Sequence, residues 1–251
     1  MGKKGGSKHL KRMPAPAFWP VHRKEFQWIV KPKPGPHPIE RCLPLLLVVR
    51  DMLAFAGTRR EARVILAGGQ VRVDGVARYE EKFPVGLMDV IEIQTAGKAY
   101  RIIPMPRKGL ALHPVDGEEK NFKLCKIENK TTVRGGKIQL NLHDGRNILI
   151  LVKDPKRRDE DVYKTSDVLK VSVPNQQILG HLPFAEGVVA LVTGGKNIGR
   201  FGKVMKIERV PGPYPTVVTL QDKNGDQFQT TLDFVFAVGD NQPWVALPEE
   251  K

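Results

Sequence analysis

Residues 58–75 read T-R-R-E-A-R-V-I-L-A-G-G-Q-V-R-V-D-G, a helix, its stop, a strand and a turn in one short stretch. Ala62, Ile65 and Leu66 recur at helical spacing, so one face of the helix is buried. Thr58 stands at the N-cap with Glu61 three residues on, the capping-box spacing, and Gly68-Gly69 ends the helix. Val71 and Val73 then alternate with Gln70, Arg72 and Asp74 as a short strand, and Asp74-Gly75 is a hairpin turn signal. Arg59, Arg60 and Arg63 project from the opposite side of the helix, where a guanidinium pairs bidentately with phosphate and stacks its flat face on a base. The competing role for these arginines is a solvated helix face, and the rest of the chain has to decide between the two.

Charge decides toward a polyanion. The 251-residue chain carries a formal net charge of +14, which points to nucleic acid or an anionic membrane surface. Residues 1–41 hold ten Lys/Arg against Glu25 and Glu40, whereas residues 212–251 hold two Lys against six carboxylates, so the basic charge is concentrated at one end. Residues 1–38 read as a basic extended arm: Gly and Pro punctuate its first half, and each proline of K-P-K-P-G-P-H-P (31–38) pushes its predecessor toward polyproline conformations. Such a segment buries too little apolar surface to fold alone and becomes ordered by lying on something. Its cations, Lys3, Lys4, Lys8, Lys11, Arg12, Arg23, Lys24, Lys31 and Lys33, are interleaved with Phe18, Trp19, Phe26 and Trp28. That mixture suits RNA, where charge meets phosphate and rings such as Trp19 stack on unpaired bases. The alternative is that these aromatics anchor the arm on its neighbouring domain, and the Phe26-Trp28-Val30 alternation marks Trp28 for that role.

Three further units follow. Residues 39–104 are expected to form a small α/β module with a first helix from Leu45 to Phe55, the helix and hairpin of 58–75, and a closing turn and strand over 85–93. Residues 105–172 read as a β-rich central domain with strands over 122–128, 137–142 and 147–152, parted by Gly-containing turns. There His143-Asp144-Gly145-Arg146 is turn chemistry rather than a catalytic cluster, and the basic loop 153–158 is nearly neutralised by Asp159, Glu160 and Asp161. Residues 173–251 hold a buried strand over 188–192, a Gly-rich loop over 193–202, strands over 203–208, 216–220, 228–231 and 235–238, and a Pro243-Trp244-Val245 tail against the sheet. The Gly-rich loop is not a phosphate-binding P-loop, because Asn197 occupies the first required Gly position and Val204 the place of the Mg²⁺-binding hydroxyl. Cys42 and Cys125 form no metal-ligand spacing and read as buried thiols of a reducing compartment. No apolar run is long enough to span a bilayer, and no basic amphipathic helix suits a membrane surface.

Two motifs carry a family resemblance. Arg50-Asp51 with Thr58-Arg59-Arg60-Glu61-Ala62-Arg63, then a Gly before Val71-Arg72-Val73-Asp74-Gly75, resembles the RNA-binding module first named from bacterial ribosomal protein S-four. The resemblance implies that the second helix and the loop after it dock on structured RNA, with Arg50, Thr58, Arg59, Arg60, Arg63, Gln70 and Arg72 as contacts. Gly187, Val188, Val189, Val192, Gly194, Gly199, Gly202, Lys203 and Val204 resemble the KOW motif, a strand, Gly loop and strand within a small SH3-like β-barrel, with Lys196, Arg200 and Lys203 as its candidate contacts. An ordinary barrel hairpin is the other reading of that stretch.

Taken in order, arm, two-helix module, strand-rich middle and KOW stretch resemble the e-type S-four family of small-subunit ribosomal proteins over essentially the whole chain. The length and short arm look archaeal rather than eukaryotic. The resemblance implies an α+β, multi-module fold and a structural constituent of the cytoplasmic small ribosomal subunit, one copy per subunit. It implies small-subunit ribosomal RNA and neighbouring ribosomal proteins as partners, with no cofactor, metal, membrane, small-molecule substrate or catalytic role. The alternative is an RNA-binding translation or transcription factor that associates transiently with ribosome or polymerase. An enzyme fused to the same helical module is disfavoured, because no H-I-G-H or K-M-S-K-S stretch is present and the carboxylates and histidines are dispersed.

Overall fold

The computed structural model describes residues 7–151, 162–209 and 211–248. Lys3, Lys4, Val152, the basic loop 153–158 with its acidic neighbours, and the end from Glu249 lie outside the described residues. The fold is α+β and mostly β: among the described residues, three five-stranded antiparallel sheets and two two-stranded ones accompany few helices.

The first sheet runs, in spatial order, Val76–Ala77, Val71–Val73, Val90–Ile93, Lys98–Met105 and Gly109–Val115. Helices α1 (Leu45–Leu47) and α2 (Arg59–Ala67) cover it through a core that joins Leu45, Leu46, Ala62 and Leu66 to Val71, Val73, Ile91 and Ile102. The 58–75 stretch folds as its local pattern requires. Thr58 Oγ1 accepts from the Glu61 N–H at 3.3 Å, a Glu61 carboxylate oxygen accepts from the Thr58 N–H at 3.4 Å, and Asp74 and Gly75 turn the hairpin at φ 50° and 73°.

The first helix is shorter than the Leu45–Phe55 expectation. After α1 the chain widens into a π-helical turn, Val48–Met52, and Leu53 donates to the Val48 carbonyl at 3.0 Å before Ala54 takes φ 53°. Leu45 to Val49 are all buried, so the segment is enclosed rather than amphipathic.

The central sheet orders Asn147–Leu151, Lys137–Leu142, Phe122–Val133, Val168–Ser172 and Ile178–Leu182. The C-terminal sheet orders Gln227–Thr231, Val217–Gln221, Phe201–Glu208, Val189–Val192 and Val235–Gly239. One shared core takes Ile103 from the first sheet, Leu124 and Val168 from the central sheet, and Leu191 and Phe236 from the C-terminal sheet. The run Val189–Val192 is apolar throughout because Leu191 faces this shared core while Ala190 and Val192 face the sheet's own.

The boundaries expected at 104/105 and 172/173 fall inside hydrogen-bonded structure: Lys98–Met105 pairs with Gly109–Val115, and Val168–Ser172 pairs with Ile178–Leu182. Pro104, Pro106 and Pro114 disguise the first of these hairpins in the sequence. Pro104 lies beyond the 98–101 stretch that pairs with Val90–Ile93, where the strand is single-sided and a missing N–H is tolerated.

A buried ionic cluster locks the sheets together. The Lys123 ammonium, 1% exposed, contacts Asp74 Oδ2 at 3.1 Å, Asp144 Oδ2 at 2.9 Å and Asp89 Oδ1. Arg146 bridges Asp74 and Asp144, and His37 Nε2 lies 3.0 Å from Asp89 Oδ2. Burial raises the Asp144 carboxyl, but Lys123, His143 and Arg146 together outweigh burial and hold it at about 2. Asp89 likewise stays far below the usual carboxylate range against its burial, through Lys123 and His37. The His143–Arg146 stretch is a turn, as expected, with Gly145 donating to Leu142 at 3.0 Å, yet Asp144 and Arg146 also belong to this cluster.

Candidate nucleic-acid interface

The arm is not a free extension. Its short strands Leu10–Lys11 and Trp28–Ile29 pair antiparallel, and Leu10, Ala15 and Trp19 enter the core beneath α1. This corrects the expectation for Trp19. Its side chain is 2% exposed and its indole N–H donates to the Cys42 carbonyl at 2.8 Å, so the ring is committed to the protein and not to a base. The anchor is Trp19 rather than Trp28, because Ile29 and Val30 face the core and turn Trp28 outward. Trp28 is 55% exposed, with Lys11 Nζ 5.3 Å from its ring centroid and His9 edge-on at 5.5 Å, and Phe26 is 53% exposed.

The arm's cations divide by engagement. Lys8, Arg23 and Lys24 are exposed, and none has a side-chain partner among the described residues. Arg12 donates from Nε to the Val21 carbonyl at 2.9 Å, Lys31 donates to the Ser7 carbonyl, and Lys33 pairs with Glu80 at the surface. Lys3 and Lys4 lie outside the described residues.

On the two-helix module, Arg50 chelates Asp51 through Nε and Nη2 at 2.8 and 2.9 Å, and that hydrogen bonding raises its pKa. Arg59, Arg60 and Arg63 are exposed along α2, as the periodicity of Ala62 and Leu66 demands. Arg60 has no side-chain partner among the described residues, whereas Arg59 and Arg63 both reach Glu81. The Thr58 hydroxyl is occupied as the N-cap, Gln70 accepts from Thr95 Oγ1 at 3.1 Å, and Arg72 lies 2.8 Å from the Gln94 amide.

The cations of the 193–203 loop and strand start sit in a different part of the structure. Arg200 pairs with Asp222 at 3.2 Å and stacks over Phe228, while Lys196 and Lys203 are exposed. Their loop rests on the first sheet, since a Cβ on Gly199 would strike the Met105–Pro106 backbone. Glu81 is the residue of this surface that sequence reasoning missed. Nothing local distinguishes it from Glu80, and only folding places it beneath α2.

Partnerless cations, bidentate arginines and exposed rings on a β scaffold are the surface chemistry expected of an RNA-binding protein. Family models agree in two places: one described as ribosomal family S4e matches residues 96–178, and the RS4NT (NUC023) domain matches residues 4–40. Over 249 residues the chain is 55% identical to small ribosomal subunit protein eS4 of Staphylothermus marinus, covering 99% of both chains. It is 51% identical to the protein of that name from Methanocaldococcus jannaschii, covering 98% of this chain and all of the relative. The crystal structure of the 30S ribosomal protein S4e from Thermoplasma acidophilum superposes with a TM-score of 0.65 at 36% identity, covering 80% of this chain and 96% of that one. The chain belongs to the ribosomal S4e family.

Proposed function

We propose that this chain is a structural constituent of the small ribosomal subunit in the cytoplasm and binds small-subunit ribosomal RNA through the exposed cations of its arm and of α2. The observation that carries the reading is the row of exposed arginines along α2, Arg59, Arg60 and Arg63, on a helix whose Ala62 and Leu66 are buried. Affinity comes mainly from phosphate neutralisation by Lys8, Arg23, Lys24, Arg59, Arg60 and Arg63. Trp28, with Lys11 over its ring, offers a stacking surface for an unpaired base. Shape rather than sequence is recognised, because the A-form major groove is too narrow for side chains.

The finer assignments belong to the same proposal. Arm and first sheet act as one RNA-binding unit to about residue 116, the central sheet continues to about residue 184, and the remainder is a KOW-containing SH3-like barrel. The barrel reading is supported by the tight seat of Gly202 against the Gln221 backbone and by the separate core of Ala190, Val204, Val218 and Leu220. One copy per subunit, neighbouring ribosomal proteins against the acidic C-terminal region, and no small molecule or catalysis complete it. Lys3, Lys4, Lys31, Lys33, Arg72, Lys196, Arg200 and Lys203 are secondary contacts.

Deleting the arm is a poor test, since it would strip Trp19 from the core. Replacing Lys8, Arg23, Lys24 and Arg60 by Gln leaves the scaffold intact. The slope of log affinity against log salt for small-subunit RNA should then fall by roughly 0.7 to 0.9 for each phosphate that is no longer neutralised. An unchanged slope in the folded variant overturns the proposal.

A further inference from the structure

Glu81 is a carboxylate set beneath a cationic face. Its side chain is 7% exposed, and its backbone is fixed where the Leu46 N–H donates to the Glu81 carbonyl at 3.0 Å. Arg59 Nε donates to one carboxylate oxygen at 2.9 Å and Arg59 Nη2 to the other, and Arg63 Nε lies 3.2 Å from the first. The hydrogen bond from Arg59, followed by the charges of Arg59 and Arg63, keeps Glu81 ionised below the usual carboxylate range in spite of its burial. By Coulomb attraction alone, a negative charge here costs affinity for a polyanion.

We infer that Glu81 is a positioning residue. It holds Arg59 and Arg63, one helical turn apart, as a paired guanidinium clamp for a structured-RNA phosphate. Arg59 spends its Nε–Nη2 edge on the carboxylate and keeps Nη1 open, and the two side chains remain 50% and 63% exposed. Residues four apart lie on one helix face, so the two free edges point to the same strip of surface. A loose arginine gives up rotamer freedom when it grips phosphate, but here that loss is taken at folding. Arg60, on the same helix without a partner among the described residues, has no such support. This inference rests on the RNA-binding reading above.

The test measures affinity of the full chain for an in-vitro transcript of archaeal small-subunit ribosomal RNA. The variants are E81Q, R60Q, the R59Q/R63Q pair and that pair combined with E81Q, with thermal melting as the folding control. E81Q is expected to weaken binding about fivefold although it removes a negative charge, and to change nothing further in the R59Q/R63Q background. E81Q binding as tightly as the parent or more tightly overturns the inference, as does a weakening that persists without Arg59 and Arg63. If R60Q weakens binding while E81Q does not, the clamp alone fails. If neither R60Q nor R59Q/R63Q changes affinity, the RNA-binding face itself is wrong and the clamp falls with it. A measurement on the unsubstituted protein covers an E81Q chain that does not fold: the NMR order parameter of the Arg59 Nε–Hε group in the RNA-free chain is expected near the rigid-backbone value of about 0.85, and that of Arg60 below about 0.6. Equal mobility of the two overturns the inference.

Discussion

Replacing Lys123 by Met removes the cation around which Asp74, Asp89 and Asp144 are gathered, in nearly the same volume. Three buried carboxylates then share only Arg146 and His37, and breaking a buried pair by taking one partner typically costs about 3–5 kcal/mol. At about 2–4 °C per kcal/mol for a chain of this size, the melting temperature at pH 7 should fall by about 6–20 °C. The pH dependence carries an independent sign. In the parent, Asp144 is depressed from 3.8 to about 2, so its contribution is present above the unfolded value and lost as pH falls through the folded one. That shift corresponds to about 2–3 kcal/mol. Without Lys123 the clustered carboxylates repel one another and lose this stabilisation, so the gap between parent and K123M should be widest near neutral pH and narrow below about pH 4. Differential scanning calorimetry between pH 7 and pH 3 reads both effects. A drop of less than about 3 °C at pH 7, or a gap that fails to narrow in acid, would refute the view that Lys123 holds this junction together.

Three other outcomes are expected. Cys42, pushed up to about 12 by burial and then by Asp89, and Cys125, raised well above its ordinary value by burial, should resist thiol reagents at neutral pH until the chain is unfolded; rapid labelling of the native protein would contradict the packing. Gly202→Ala should lower stability by about 1–3 kcal/mol in chemical denaturation, because the added Cβ meets the Gln221 carbonyl, and a neutral change would place the two strands farther apart than described. Trp28→Ala should cost about 1–3 kcal/mol of affinity for small-subunit RNA, and bound RNA should shield Trp28 from acrylamide quenching while the buried Trp19 stays unquenched throughout; an unaffected affinity would remove Trp28 from the interface.

The local devices were legible from residues alone. Thr58 and Glu61 cap α2, Ala62 and Leu66 face inward, Asp74-Gly75 turns the hairpin, and Lys137–Leu142 alternates as a strand. Each is set by neighbours within a few positions, so spacing suffices to find it. Where several prolines or an all-apolar run blurred that spacing, the expectation slipped: Lys98–Val115 is a long hairpin, and Leu45–Met52 is an enclosed segment with a π turn.

Sequence by itself determined that the chain is strongly basic at its N-terminal end and presents arginines along one helix, because charge distribution and hydrophobic periodicity are written along the chain. Tertiary structure alone decided which cations are free and which are held. Lys123 meets Asp74 across 49 positions, Arg59 meets Glu81 across 22, and Trp19 meets Cys42 across 23. Partners that distant share no periodicity. Burial makes each such contact obligatory, since a charge or an indole N–H withdrawn from water must find its complement inside the protein.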